Sequence, residues 1–248
     1  MSDAAKGLYL IAGGTGGIGS EVARRLRAQD SEVVFAARDE LRLEERAREL
    51  GARAVPMDAT RADAVTGALD AALRDGRRLL GVVNCIGTIL LKPAHLISDE
   101  EWRTTLDTNL TSSFLLLREA ARRMMASGGG SIVFCSTVAA QRGLFNHEAI
   151  AAAKAGVEGL TRAAAATYAR YQIRVNCVAP GLVQTPLSQF LTASEAARKA
   201  SVALHPLGRL GEPGDVASAI CWLLSPEQKW VTGQVLHVDG GLSTVQAR

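Results

Sequence analysis

The chain predicts an α/β fold, a doubly wound parallel sheet with helices on both faces. Three observations lead there. Apolar runs rich in Val and Ile alternate with helix-patterned stretches, the arrangement of a parallel sheet joined by right-handed crossovers. The first such run, Leu8-Tyr9-Leu10-Ile11-Ala12, stops at Gly13-Gly14-Thr15-Gly16-Gly17-Ile18-Gly19 and passes into a helical pattern with Val22, Ala23 and Leu26 on one face. The length of 248 residues, with 48% hydrophobic and 21% charged residues, suits one large domain with a sizeable core.

Glycines at 13, 17 and 19 remove Cβ atoms where the chain turns sharply, so a ligand can approach the backbone closely. The amides and positive end of the following helix then face any phosphate placed there. Taken alone, the spacing fits an ordinary strand-to-helix turn equally well.

A second strand is expected over 31–37 (SEVVFAA), ending at Arg38. In a doubly wound fold this strand end lies beside an adenosine ribose, where an acidic residue suits the 2′-hydroxyl of NAD and an arginine the 2′-phosphate of NADP. Ala36 and Ala37 bring no carboxylate and Arg38 brings a guanidinium, which favours NADP over NAD, although Asp39 and Glu40 follow at once. A surface arginine at a charged helix start is the alternative. The charged stretch 40–50 reads as a solvated helix with pairs such as Glu44–Arg48.

Residues 52–57 form a third strand ended by Asp58, and 62–73 a helix. A fourth strand over 79–83 leads into Asn84-Cys85-Ile86-Gly87. Ligands of parallel sheets collect at the carboxyl ends of strands, where Asp58, Asn84 and Gly87 fall. Ser98 and Glu101 fit a capping box opening a helix to about residue 125, with Asn109, a poor helix former, in its interior. The fifth strand, 131–135, ends at Ser136-Thr137. Asn146 reads as the cap of an alanine-rich helix over 147–170 that carries Lys154. A sixth strand spans 173–178. The polar, irregular region 187–211 suits a mobile cover over a site. The last helix starts at 212–215, and a closing strand is expected over 233–238. With no internal repeat or linker, residues 1–248 read as a single domain.

The net charge of +3 comes from interspersed residues without a basic stripe, which argues against a nucleic-acid partner. Cys85, Cys135, Cys177 and Cys221 lie far apart in sequence without metal-ligand spacing, so they read as buried free thiols and no metal is expected. No apolar run is long enough to span a bilayer and the N-terminal stretch lacks a leader-like apolar region, so no membrane partner and a cytoplasmic location are expected.

Taken together, Gly13-x-x-x-Gly17-Ile18-Gly19, Asp58, Asn84-x-x-Gly87, Asn109, Lys154, Pro180-Gly181 with Thr185, and Val231-Thr232-Gly233-Gln234 through Asp239-Gly240-Gly241 resemble the short-chain dehydrogenase/reductase family over nearly the whole length. The branch containing 3-oxoacyl-acyl-carrier-protein reductases is most similar. Ala12, in place of a usual Thr, and Cys85-Ile86, in place of Asn-Ala, are mild departures. The resemblance implies a Rossmann-type domain and an NAD(P)-dependent oxidoreductase acting on a carbonyl/alcohol pair. It implies cofactor contacts at Gly13, Thr15, Gly17, Ile18, Gly19, Arg38, Asp58, Asn84 and Gly87, with Lys154 on the nicotinamide ribose and Val183 and Thr185 at the carboxamide. Asn109 would support a water-linked proton path to Lys154. A homodimer or homotetramer is implied through the Lys154 helix, whose small residues between 149 and 166 permit close approach.

One departure is not mild. The family's proton donor is a Tyr four residues before the Lys, and that position is Ile150; the tyrosines of this chain are Tyr9, Tyr168 and Tyr171. The family's Ser falls on Thr137. Strand alternation favours Thr137 over Ser136 for reaching the site, and a Thr hydroxyl can donate to a carbonyl oxygen. His147, Ile150 and Lys154 stand at i, i+3 and i+7 on one helical face, so His147, oriented by Glu148, is a candidate replacement acid; a plain polar residue at a helix start is the alternative. Three readings stay open: an NADP-dependent oxidoreductase with an atypical proton donor, an NADP(H)-binding protein with little or no redox activity acting as a sensor or partner subunit, and an enzyme performing an elimination. The small-molecule substrate is expected to be apolar or acyl, with Phe190 the main aromatic of the cover.

Overall fold

The computed structural model describes residues 7–246; the N-terminal stretch read above as lacking a leader lies, through residue 6, outside the described residues. Seven strands form one parallel sheet: β1 (Gly7–Ala12), β2 (Glu32–Ala37), β3 (Arg53–Pro56), β4 (Arg78–Asn84), β5 (Gly130–Cys135), β6 (Ile173–Pro180) and β7 (Val235–Val238), in the order β3-β2-β1-β4-β5-β6-β7. Among the described residues, eight α-helices connect them: α1 (Gly17–Arg27), α2 (Glu40–Leu50), α3 (Ala62–Ala72), α4 (Asp99–Leu106), α5 (Ser112–Ser127), α6 (Glu148–Tyr168), α7 (Glu195–Ala203) and α8 (Pro213–Leu224).

Strand periodicity divides the interior into two cores. Leu8, Leu10 and Ala12 face α3, α5 and α6, whereas Ile11, Val33 and Phe35 face α1, α2 and α8. Both sheet faces are covered, which is why Val33 to Ala36 is a continuous buried run with no alternation of polar residues. The strand order reverses between β1 and β4, and the crevice at their carboxyl ends is where such sheets place ligands.

Several expectations change in detail. The capping box at Ser98 forms, with Glu101 N–H donating to the Ser98 hydroxyl and the Glu101 carboxylate accepting from Ser98 N–H. The helix it opens is not uniform, because Asp107–Thr111 is a π-turn between α4 and α5. The cause is Asn109: its side-chain amide donates to Thr105 O at 2.9 Å, taking the acceptor its own backbone N–H would use, while Ser112 N–H reaches back five residues to Asp107 O. Asn146 is not a cap. Its φ of +61° is left-handed, whereas a cap residue is extended, and His147 occupies the cap position without a side-chain cap bond. The Glu44–Arg48 pair gives way to Arg46–Glu49 at 2.7 Å. The region 187–211 contains a short 3₁₀ turn and α7, which Ser194 caps by accepting from Ala197 N–H. The closing strand starts two residues later than expected, after Gly233 with φ +73°.

Candidate functional site

The glycine turn lies at the reversal of strand order. Gly13 adopts φ +77°, and its N–H donates to Ala36 O at 2.9 Å. A Cβ at Gly13 would lie 2.9 Å from the Cys85 backbone, and one at Gly19 would lie 2.5 Å from Gly13 O. Both glycines therefore let β1, the start of α1 and the end of β4 converge. Gly16 precedes α1 with no side-chain cap, and no acidic residue occupies its first turn. The first amides of α1 and its positive end stay open toward the crevice, a cradle that fits a pyrophosphate. Thr15 and Ile18 belong to this segment, and Gly17 meets the loop after β6, where its Cβ would lie 3.1 Å from the Thr185 methyl.

Beyond β2, Arg38 is exposed and has no hydrogen bond or ion pair among the described residues. Asp39, the nearest acid, instead accepts from Arg42 N–H and caps α2. The Arg42 guanidinium returns to the glycine turn and donates to Thr15 O at 3.2 Å. Arg42 was not evident from sequence, although its place one helical turn after Arg38 was the available signal. Asp58 accepts from the Thr60 hydroxyl at 2.7 Å and Thr60 N–H at 3.0 Å, and these bonds hold its carboxyl below the usual range, with Arg38 adding to the effect.

On the other side of the turn lies a cavity of about 340 Å³. Thr137, His147, Ile150, Lys154, Val183 and Thr185 all line it, so the structure brings the carboxamide-side residues together with Thr137, His147 and Lys154 but leaves Asn109, the fourth predicted catalytic residue, off its wall. Lys154 is buried and donates from Nζ to Cys135 O at 2.8 Å; burial pulls its pKa down. Thr137 is half-buried in the cavity wall; Ser136 also lines the cavity, with its hydroxyl donating to Glu158 at 2.9 Å. Asn109 is fully buried; its Oδ1 accepts from Thr88 N–H and its amide donates to Thr88 Oγ1. Gly87 separates Asn109 from Lys154, since a Cβ there would lie 3.1 Å from Asn109 Oδ1 and 3.6 Å from Lys154 Nζ.

Asn84 does not fit the role expected of it. Its amide donates to the Ser112 and Ser113 hydroxyls and its Oδ1 accepts from Ile86 N–H, so the side chain ties β4 to α5 and faces no ligand space. Glu148 does not orient His147 either: it is exposed, and the imidazole uses Phe145 O, to which Nδ1–H donates at 2.7 Å. That bond leaves Nε2 as the nitrogen available for exchange with a ligand. Leu187, Leu191 and Leu204, from the region 187–211, line the same cavity. That region is tied to the loop after β6 by buried His205, which donates from Nδ1 to Ser201 O and accepts from Leu182 N–H at Nε2. Sequence reading missed that tie and the proximity of two cysteines in the cavity floor, Cys85 and Cys135, whose sulfurs lie 3.8 Å apart. Among the described residues, no group of three or more His, Cys, Asp and Glu is placed to hold a metal ion, and no helix is long and apolar enough to cross a membrane.

The chain matches the model of a family described as Enoyl-(Acyl carrier protein) reductase over residues 12–243. It is 33% identical to the 3-oxoacyl-acyl-carrier-protein reductase FabG of Vibrio cholerae, over 94% of this chain and 96% of that protein. It is 35% identical to 3beta-hydroxysteroid dehydrogenase 1 of Eggerthella lenta, over 98% and 96% respectively. Among solved structures, a single-substitution variant of actinorhodin polyketide ketoreductase with NADPH superposes with a TM-score of 0.92 at 30% identity, covering 99% of this chain and 100% of that one.

Proposed function

Since this chain belongs to the short-chain dehydrogenase/reductase family, a family of oxidoreductases, we propose that it is NADP-dependent and interconverts an apolar ketone and its alcohol with an atypical proton donor. The observation that carries this reading is the convergence of Thr137, His147 and Lys154 on one cavity beside the open glycine cradle. A nicotinamide dinucleotide held there supplies or accepts the hydride. The segment 13–19 would seat its pyrophosphate, Arg38 and Arg42 the 2′-phosphate, Asp58 the adenine side, and Val183 with Thr185 the carboxamide. Lys154 would hold the nicotinamide ribose by the amine hydrogens not given to Cys135 O. Thr137 donates a hydrogen bond to the substrate oxygen, and His147 delivers the proton from Nε2. Asn109, beside Lys154 across Gly87, supports the water that refills the site. Asn84 acts only through the backbone it fixes.

The cavity wall suits a neutral apolar substrate: Ile86, Ile89, Val138, Leu144, Leu182 and Leu191 are among its lining residues, which include no Asp, Glu or Arg. We assign residues 187–211 as the cover of a single catalytic domain. The direct test is NADPH titration followed by a panel of alicyclic and open-chain ketones, read by loss of NADPH absorbance. Turnover supports the proposal. Tight NADPH binding with no turnover of any ketone overturns it in favour of a cofactor-holding sensor or partner subunit, the reading that Ile150 at the expected tyrosine position favours.

Two further outcomes follow from the same assignment. Arg38→Ala weakens NADPH binding roughly ten- to a hundredfold while leaving NADH nearly unaffected, because hydrogen bonds to a charged group contribute about 1.5–3 kcal/mol; equal losses for both nucleotides, measured by titration, would refute the 2′-phosphate contact. α6 exposes Ala152, Ala155, Ala163 and Ala166, a small face that admits a second helix at close range. Light scattering is therefore expected to give the mass of two or four chains, and a monomer would contradict this.

A further inference from the structure

The floor of the cavity holds a feature that carbonyl reduction does not use. Cys85 follows the last residue of β4 and Cys135 ends β5, one position beyond the ladder pair Asn84–Phe134. Adjacent parallel strands place such residues about 4.8 Å apart, inside the Cα window of a disulfide. The two sulfurs are 3.8 Å apart, both residues are half-buried, and both line the same cavity as Lys154. Cys177, by contrast, is fully buried and packs in the opposite core, and Cys221 sits on α8 against Val22 O.

We propose that Cys85 and Cys135 form a redox-active dithiol that hydroperoxides oxidise to a disulfide in the floor of the catalytic cavity. The assignment of roles follows from the surroundings. Cys135 carries the backbone carbonyl that holds the Lys154 amine, so its sulfur shares the neighbourhood of that cation. The hydrogen bond with Cys85, aided by Lys154, lowers the Cys135 thiol's pKa, and the same bond together with burial raises that of Cys85. This direction assigns Cys135 as the attacking sulfur and Cys85 as the resolving thiol. The Cys135 sulfur displaces alkoxide from the O–O bond, giving a sulfenic acid and, after protonation, an alcohol. The Cys85 sulfur then attacks the sulfenic sulfur and water leaves. Two thiols lose two electrons and two hydrogens, and one hydroperoxide becomes one alcohol and one water.

Closing the bond draws the sulfurs from 3.8 Å to about 2.05 Å. The ends of β4 and β5 move with them, and with the latter the carbonyl that anchors Lys154. A disulfide lining an open cavity is within reach of reducing thiols, as reversible control requires. The consequence for catalysis rests on the proposed cavity function; formation of the bond does not.

The test uses the whole reduced protein, desalted and exposed to hydrogen peroxide, followed by alkylation and non-reducing peptide mapping. The expected result is a Cys85–Cys135 linked peptide, reversed by dithiothreitol, with Cys177 still alkylatable after unfolding. In Cys85→Ser the link is lost and Cys135 accumulates as sulfenic acid that dimedone traps; in Cys221→Ser the link persists. Alkylation of both Cys85 and Cys135 after peroxide, or a link from either to Cys177, overturns the proposal, and the wild-type map alone suffices to do so. Repeating the reaction with NADPH separates the two assignments. Slower linkage supports a cofactor lying over the pair, whereas an unchanged rate counts against that cofactor placement and leaves the dithiol standing.

Discussion

His147→Ala is expected to lower the turnover number for ketone reduction by roughly a hundred- to ten-thousand-fold, the usual worth of a positioned general acid. The geometry makes the prediction selective. Phe145 O occupies Nδ1, so the loss falls on the remaining ring nitrogen of a residue that lines the cavity, and nothing in the glycine cradle changes. NADPH affinity is therefore expected to stay the same while kcat collapses. Installing Ile150→Tyr in the same background supplies a phenol one helical turn before Lys154 and is expected to recover part of the rate. Full turnover in His147→Ala would remove the imidazole from the mechanism, and stopped-flow measurement of a single turnover would show it directly.

Gly19→Ala is expected to destabilise the fold and weaken NADPH binding together. The added methyl would lie 2.5 Å from the carbonyl oxygen of Gly13, a backbone atom that no side-chain rotation can move aside. Overpacking of this kind costs about 1–3 kcal/mol. In a chain of this size each kcal/mol lowers Tm by about 2–4 °C. Because the displaced atoms are those of the cradle, affinity falls with stability. Gly67→Ala is the matched control: its methyl meets nothing within 4 Å on α3, and helix propensity alone then favours alanine by up to about 1 kcal/mol. Calorimetry with NADPH titration on both variants checks the pair. A Gly19→Ala protein with wild-type Tm and affinity would show that the turn tolerates a side chain and is not a close-approach site.

Which parts of this site were legible in the sequence follows from how far apart the interacting groups lie along the chain. The Ser98–Glu101 capping box needed only four residues. Local signals failed where a distant group claimed the same atom. Asn84 looked like a ligand-facing residue at a strand end, yet Ser112 and Ser113, on the helix leading back to the sheet, take its amide. Asn146 looked like a cap, yet the chain enters α6 from a left-handed residue, with the Asn146 carbonyl accepting from Lys92 N–H. Asn109, read from sequence as odd in a helix and as a support for a water path by resemblance, opens the π-turn because its side chain competes with the backbone for Thr105 O.

By itself the sequence determined the alternation of strands and helices, the position of the glycine turn and the residues at strand ends, because hydrophobic period, caps and Cβ-free positions act over a few residues at a time. Only the tertiary structure decided which of those strand ends share a cavity: that Arg42 reaches Thr15, that His205 bonds to Leu182 N–H, and that two cysteines fifty positions apart face each other at 3.8 Å. The reason is that each crossover returns the chain to the sheet through a whole helix, so neighbours across strands are set by the packing of layers and leave no periodic trace along the chain.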